Sequence, residues 1–406
     1  MKAEIITIGD EILYGQTIDT NSAYIGEKLN ELGIEIVYKT TVGDNIKNIC
    51  DALENALNRA DIIIATGGLG PTNDDVTKKA VVRVFKRNLV FHEEILRKVE
   101  EGFKKRGILM PKINQNQALL PQGSKAVANP WGSAPGIFIE EKRKLFFSLP
   151  GVPLEMRSMM ESDVLKILSR KAKTKIFQRR LRTTGVPESV IYEKVEPLIR
   201  LRTGVFFAFL PSYSGVDIKL TSRLKESLED VEKRLKAILG DCIYGEGEIA
   251  LEEVVGKLLL EKGKTISVAE SCTGGLIGKK FTNVSGSSQW FERGVISYSN
   301  QSKMELLGVP SDILEKYGAV SEKVAILMAE GIRKISKTDY GLSATGIAGP
   351  TGGTKEKPVG LVYIGFAHEN DSFAQKFIFG EDRNTNRERT AQAALNSVRL
   401  FLQRSK

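Results

Sequence analysis

Short apolar runs, each closed by a cluster of glycines, hydroxyls or acids, recur along this 406-residue chain. Separated by amphipathic stretches, such runs alternate strand with helix, and that order implies a largely parallel sheet covered by helices on both faces. Residues 3–8 read as a strand, 20–32 as a helix stopped by Gly33, 34–41 as a strand, 45–59 as a helix, 61–66 as an apolar strand and 76–85 as a helix. A hairpin at 136–149 and a helix over 154–168 follow. From 174 to 245 the order becomes β-α-β-β-α-β, the ferredoxin-like split pattern. A joint at Gly245-Glu246-Gly247-Glu248 leads to a third α/β unit, with strands at 265–268, 294–299 and 340–344, a hairpin at 361–379 and a last helix over 384–402. The expected fold is therefore α/β throughout except for a small α+β connector. Its domains are 1–170, 171–248 and 249–406, in keeping with a length too great for one core.

Composition excludes several classes. Hydrophobic residues make up 41%, and no run approaches the roughly 18 apolar residues of a membrane span. The first residues enter a strand directly and carry no small-residue cleavage site. Cys50, Cys242 and Cys272 are odd in number and lack metal-ligand spacing, which points to free thiols in a reducing cytoplasm. The formal charge is +9. One basic cluster, Arg170, Lys171, Lys173, Lys175, Arg179, Arg180 and Arg182, has no acid between its members. Without an aromatic-basic motif, the charge reads as solvated surface and nucleic acid is not the expected partner.

The chemistry gathers where strands end, the place where open α/β sheets bind ligands. In the last unit, Ala269-Glu270-Ser271-Cys272-Thr273-Gly274-Gly275 sets a hydroxyl, a thiol and a hydroxyl at a strand-to-helix turn. The first N–H groups of a helix are unpaired there and favour negative charge. Ser271 is the candidate nucleophile. Cys272 is its rival, because a thiol at a helix N-terminus is activated. A helix-capping serine is the plainer alternative. Tyr298-Ser299-Asn300-Gln301-Ser302-Lys303, the loop 345–353 and Gly380-Glu381-Asp382-Arg383 complete the set. In the first unit, Asp10 and Glu11, Asp44, and Asp74 and Asp75 follow successive strands. The last pair succeeds the glycine-rich loop Gly67-Gly68-Leu69-Gly70-Pro71-Thr72. Glycines for phosphate and carboxylates for a hard divalent ion suit a pyrophosphate; Asp74 and Asp75 serve equally well as helix N-terminal acids.

These motifs carry a resemblance. AESCTGG, ERGVISYSNQSK and ATGIAGPTGGTKEKPVG resemble the CinA C-terminal domain, found alone as the nicotinamide mononucleotide deamidase PncC. The resemblance implies hydrolysis of the carboxamide of nicotinamide mononucleotide to nicotinate mononucleotide and ammonia. It also implies that Ser271 is nucleophile, Lys303 its partner, and Tyr298 and Arg383 further active-site residues, with Arg387 one turn beyond as an alternative to Arg383. The residues suit that chemistry. The only histidines are His92 and His368, so a Ser-Lys pair is the available base arrangement. It requires a desolvated Lys303, because lysine at its ordinary pKa of ~10.4 is almost never neutral at pH 7. Backbone N–H groups around Thr273 and Gly274 are candidate oxyanion donors. Thr345, Gly346, Gly349 and Gly352 admit phosphate and ribose, and Arg383 offers a bidentate phosphate contact.

GDEILYGQTIDTN, TGGLGPTNDDVT and LPGVPLEM are similar to the CinA N-terminal domain, a relative of the molybdopterin-binding MogA and MoaB proteins, which implies a doubly wound fold. The resemblance implies a metal-dependent ADP-ribose pyrophosphatase that yields AMP and ribose 5-phosphate. Asp44 and Asp75 match the two acidic positions of the relatives. Asp10, Glu11, Asp74 and Asp75 are the candidate ligands for Mg²⁺, Mn²⁺ or Co²⁺, and Gly67, Gly68, Gly70 and Thr72 the candidate substrate contacts. No cofactor is expected for the deamidase unit. The expected partners are the two nucleotides and a second copy of the chain, with no membrane. The alternatives are a molybdopterin-binding role for the first domain, or a scaffold in DNA recombination.

Overall fold

The computed structural model describes residues 1–72, 75–172, 176–201, 203–380 and 382–404, which form two compact units, Met1–Phe177 and Gln178–Lys406. The first unit has strands β1 (Lys2–Ile8), β2 (Glu35–Val42), β3 (Ile62–Thr66), β4 (Leu89–Phe91), β5 (Leu119–Pro121), β6 (Lys125–Val127), β7 (Gly136–Glu141) and β8 (Lys144–Leu149). Six of them form a sheet ordered β2-β1-β3-β8-β7-β6, and β4 pairs with β5 apart from it. β2, β1, β3 and β8 run parallel, while β7 and β6 fold back antiparallel. β3 is buried along its whole length, as a strand covered on both faces must be. One core cluster is built on Ile6, Ile63 and Phe146, the other on Ile5, Ile64 and Phe147. The helix expected over 154–168 begins at Pro153 and is interrupted by a π turn, Met160–Val164.

Gly67 brings the end of β3 against the end of β1. Its φ is +112°, and a Cβ there would lie 2.0 Å from the Ile8 carbonyl oxygen, so only glycine lets the loop pass. The ends of β1, β3 and β8 thereby open on one cavity.

The second unit contains two sheets. β9 (Phe177–Thr183), β10 (Val205–Ser212), β11 (Gly215–Ser222) and β12 (Ile243–Glu246) are ordered β10-β11-β9-β12, with helices Glu188–Arg200 and Lys225–Leu239 between them, the expected β-α-β-β-α-β arrangement. The described arginines of the basic cluster in this sheet are paired by acids from elsewhere in the sequence. Arg180 meets Asp217 and Glu248, Arg182 meets Asp217, and Arg179 meets Glu232. Lys171, in the first unit, is bonded to Glu140; Lys173 and Lys175 lie outside the described residues. Among the described residues no helix is long and apolar enough to cross a membrane.

The other sheet holds β13 (Ile266–Glu270), β14 (Phe291–Ile296), β15 (Tyr340–Gly346), β16 (Leu361–Ala367) and β17 (Ser372–Ile378), ordered β14-β13-β15-β16-β17. Its first three strands are parallel and its last two antiparallel. Two short helices, Asn300–Leu307 and Ser311–Tyr317, were not expected. Gly308 and Pro310 break the region into pieces too short to show a period. The last helix, Arg383–Arg404, buries Ala391, Leu395 and Val398 against this sheet. Further along, Arg399 donates to the carbonyls of Asp241 and Ile243, beside β12.

The turn after β13 departs from expectation. The buried Glu270 carboxylate accepts the N–H groups of Gly275 (2.9 Å), Ile277 (3.1 Å) and Gly278 (2.8 Å). The N-terminus of helix Leu276–Thr282 is therefore filled by the protein's own anion and is not left open for a bound one. Glu270→Gln keeps the shape but sets an amide N–H₂ against backbone donors. Such a buried mismatch is expected to cost about 2 kcal/mol, read as a lower urea midpoint for the second unit.

Candidate functional site

Three strand ends and one helix start converge in the second unit. β13 delivers Ser271, whose N–H donates to the Ala344 carbonyl of β15 at 2.9 Å. The Ser299 hydroxyl caps helix Asn300–Leu307 by accepting the Ser302 N–H. That cap turns Lys303 inward, one turn into the helix, where it is only 1% exposed. Lys303 Nζ lies 3.0 Å from Ser271 Oγ, 2.7 Å from the Ser297 carbonyl and 3.3 Å from the Tyr298 carbonyl. Burial pushes its pKa down to about 8. A neutral amine keeps two N–H donors and one lone pair. With both donors on the carbonyls, the lone pair faces the Ser271 hydroxyl and accepts its proton.

The rival nucleophile is removed by its surroundings. Cys272 packs into the core of the sheet, and burial pushes its thiol up to about 12. A thiol held protonated in apolar packing is inert at neutral pH.

Other expected residues take different places. Tyr298 does not bridge Ser271 and Lys303 through its hydroxyl. Its ring is 63% exposed and its OH accepts from Arg383 Nη2 at 3.2 Å. Arg383 also donates to the Gly349 carbonyl at 2.9 Å, while Arg387 donates through Nε and Nη2 to the Thr273 carbonyl. Arg383 thus ties two loops together, and Arg387 braces the nucleophile turn. Gly274 N–H is committed to the Ser271 carbonyl at 3.2 Å. The Thr345 hydroxyl donates to the Ala319 carbonyl. At Gly346 a Cβ would meet β16, 2.6 Å from Val362 Cγ2; these two residues build the strand end. Gly349 and Gly352 adopt φ of +86° and +87°, which glycine tolerates. Glu381 lies outside the described residues. Sequence reasoning missed Asn386, whose side-chain amide donates to the Ala348 and Gly380 carbonyls. Its position in the first turn of the last helix was the available signal.

In the first unit, a cavity of about 550 Å³ opens at the ends of β1, β3 and β8. Glu11, Asp44, Gly67, Gly68, Gly70 and Asp75 line it, joined by Gln117, Ser133, Val152 and Glu155. Asp10 is not among the lining residues: its carboxylate accepts the Asp44 N–H, and its own N–H donates to Asp44. Thr72 is engaged likewise, with its N–H and hydroxyl both on Asp75 Oδ2. Asp74 lies outside the described residues. Burial, together with the carboxylates of Asp10, Glu11 and Asp75, holds Asp44 above the ordinary carboxylate range. A cation relieves that repulsion.

Among the described residues, no three potential ligands converge as a metal cage. The oxygen donors fit a hard ion held by one or two carboxylates and completed by phosphate and water, the usual manner of Mg²⁺. Two further groups went unnoticed in the sequence. Buried Lys78 donates to the Asn116 carbonyl and to Gln117 Oε1, and Gln117 Nε2 donates to the Leu69 carbonyl. That strut fixes the glycine loop. Asn21 donates to Thr66 Oγ1 and the Gly151 carbonyl, joining two walls of the cavity.

Three family models match the chain in order. The model described as "Probable molybdopterin binding domain" covers residues 4–170, the damage-inducible protein CinA KH domain 178–245, and the CinA C-terminal domain 248–402. KH domains clamp nucleic acid through a G-x-x-G loop, yet no two glycines stand three apart in 178–245. A CinA-like protein of Dictyoglomus turgidum is 45% identical over 99% of both chains. A CinA-like protein of Kosmotoga olearia is 44% identical, again over 99% of both. Among solved structures, the protein CinA with unknown function from Thermoplasma acidophilum is 34% identical over 41% of this chain and 97% of its own, with a TM-score of 0.38. Likeness that runs the full length of such relatives, through all three domains, means that the chain belongs to the CinA family.

Proposed function

We propose that the second unit is a nicotinamide mononucleotide deamidase working through Ser271 and Lys303. The observation that carries this is the buried Lys303 amine, 3.0 Å from the Ser271 hydroxyl with its other contacts made to carbonyls. Lys303 takes the Ser271 proton as Oγ attacks the carboxamide carbon. The tetrahedral oxyanion falls to backbone N–H groups of the turn around Thr273, Gly274 N–H being committed to the Ser271 carbonyl. Lys303 returns the proton to the departing nitrogen, and the C–N bond breaks to release ammonia. Water, deprotonated by Lys303, then attacks the acyl-serine ester; the Oγ–acyl bond breaks, Lys303 returns the proton to Ser271 Oγ, and nicotinate mononucleotide leaves. Arg383 is the cation assigned to the substrate phosphate.

We infer for the first unit a metal-dependent ADP-ribose pyrophosphatase. Its support is the glycine loop opening on a cavity lined by carboxylates. Asp44 and Asp75 would hold a divalent ion, with Glu11 at the same cavity. The bound ion supplies neutralisation of the pyrophosphate charge. Through that ion the phosphates would be drawn to the glycine loop, and the Lys78–Gln117 strut keeps that loop in place. The products are AMP and ribose 5-phosphate. The match to a molybdopterin-binding model favours a second reading for this unit, binding of a pterin phosphate without turnover. A recombination scaffold has less support, since Arg179, Arg180 and Arg182 of the basic cluster are ion-paired. A second copy of the chain and a cytoplasmic setting belong to the same proposal.

Ammonia release from nicotinamide mononucleotide is expected from the wild type and lost by at least 10³-fold in Ser271→Ala and Lys303→Ala, by analogy with nucleophile and base deletions. Full activity in Ser271→Ala with loss in Cys272→Ser would overturn the assignment.

Lys303 must be neutral to act as base. Since its pKa is held at about 8, kcat/KM should rise about tenfold per pH unit below 8 and level off above it. A flat profile from pH 6 to 9 contradicts the role.

ADP-ribose hydrolysis should require Mg²⁺, Mn²⁺ or Co²⁺. Asp44→Asn and Asp75→Asn should each lower it by 10²-fold or more, the scale of a lost charge contact at a reacting group, with deamidation unchanged. Retained turnover in the presence of EDTA would exclude the metal.

A further inference from the structure

The loop that follows β6 carries a feature that pyrophosphate chemistry alone does not need. Trp131 is 61% exposed, yet its loop is built rigidly. Asn129 Oδ1 accepts the N–H groups of Trp131 and Gly132, while Asn129 Nδ2 donates to the Ala134 carbonyl and to Glu155 Oε2. A Cβ at Gly132 would stand 2.2 Å from the Glu155 carboxylate and displace it from this closure. The next residues, Ser133 and Ala134, line the cavity, as do Glu155 and the half-exposed Val152. Asn129 and Glu155 therefore staple the tryptophan loop to the start of helix Pro153–Met159, at the rim of the cavity.

Scattered exposed apolar residues need no explanation. A large aromatic on a loop whose backbone is pinned beside a phosphate-type cavity is different, because part of the ordering that stacking would otherwise demand has already been met. The cavity is of small-ligand size, and its carboxylates and glycines address only the charged middle of a nucleotide. Every nucleobase has a π face, and an exposed indole on such a loop recognises that face without reading its edge.

We propose that Trp131 is the stacking platform for the purine base of the pyrophosphate substrate, and so determines which pyrophosphates the first unit accepts. This rests on the pyrophosphatase reading above. The chemistry it recognises, a planar heteroaromatic ring joined to phosphate, is shared with pterins; the purine is favoured because a cavity lined by several carboxylates suits, with a divalent ion, the two phosphates of a nucleoside diphosphate sugar.

The test uses the full chain with Mg²⁺. The chain has two tryptophans, and Trp290 is buried in the other unit, so it contributes a constant background emission. AMP should quench the fluorescence and ribose 5-phosphate should not. Trp131→Ala should raise the KM for ADP-ribose about tenfold or more, leave kcat within about threefold, and leave deamidation unchanged; Trp131→Phe should restore the KM. An unchanged KM in Trp131→Ala, with the wild type turning over ADP-ribose, overturns the platform while the pyrophosphatase stands. Quenching by a pterin phosphate and not by AMP overturns the purine assignment. Wild-type protein that binds and is quenched by AMP but hydrolyses no ADP-ribose overturns the pyrophosphatase and leaves the platform.

Discussion

The Ser271–Lys303 site depends on a lysine kept out of water. Moving its pKa from the usual 10.5 to about 8 corresponds to about 3 kcal/mol against the charged form. The consequence is that about a tenth of Lys303 is neutral at pH 7. That penalty is sustained by local structure. The capped helix Asn300–Leu307 fixes the backbone, and the carbonyls of Ser297 and Tyr298 take two N–H groups at the end of β14's segment. Neither acceptor is charged. A carboxylate in their place would have stabilised the ammonium and removed the base. The nearest turn does contain an acid, Glu270, but its two oxygens are occupied by three backbone N–H groups of the following helix. One residue before the nucleophile, negative charge is thus spent on holding the turn.

The two units place opposite electrostatics at the same topological location, the carboxyl ends of parallel strands. Around Ser271 the described basic side chains include Lys303, Arg383 and Arg387, and the arginines reach carbonyls rather than acids. Around the glycine loop of the first unit the lining charges are Glu11, Asp44, Asp75 and Glu155. A phosphate monoester approaches the first arrangement directly. A pyrophosphate is repelled by the second unless a cation intervenes. The raised pKa of Asp44 records the same repulsion between carboxylates. The two sites thus differ in how each meets an anion.

Much of this was legible in the sequence. Parallel strands buried on both faces leave apolar runs such as Ile62–Thr66, and glycine-rich or hydroxyl-rich stretches at their ends mark the binding edge. Ser271, Lys303 and the arginine pair stood in long motifs, so their convergence could be anticipated. What escaped reading was the direction of side chains that serve two masters. Glu270 looks like part of a catalytic motif, but its carboxylate reaches forward eight residues to Gly278. Asp10 looks like a metal ligand, but it spends its carboxylate on the backbone of Asp44. Thr345 looks like a substrate contact, but its hydroxyl serves a loop carbonyl 26 residues away. Hydrogen bonds of such sequence separation leave no periodic trace. The same blindness applies to the basic cluster, whose partners Asp217, Glu232 and Glu248 lie on other elements.

The last helix shows why the second unit behaves as one body although it contains two sheets. Its first turns supply Arg383, Asn386 and Arg387 to the loops around Ser271. Its later turns hold the middle sheet: Gln392 reaches Thr184, and Arg399 and Arg404 reach Asp241 and its neighbours. Arg399 is fully buried, and burial lowers its pKa. A buried guanidinium has to be satisfied, and here carbonyls and an asparagine satisfy it. Removing its partners would leave a desolvated cation, a strongly unfavourable state. The middle sheet therefore cannot leave the helix without exposing groups on which the helix depends. Because the same helix braces the turn that carries Ser271, the small connecting domain is mechanically coupled to that site.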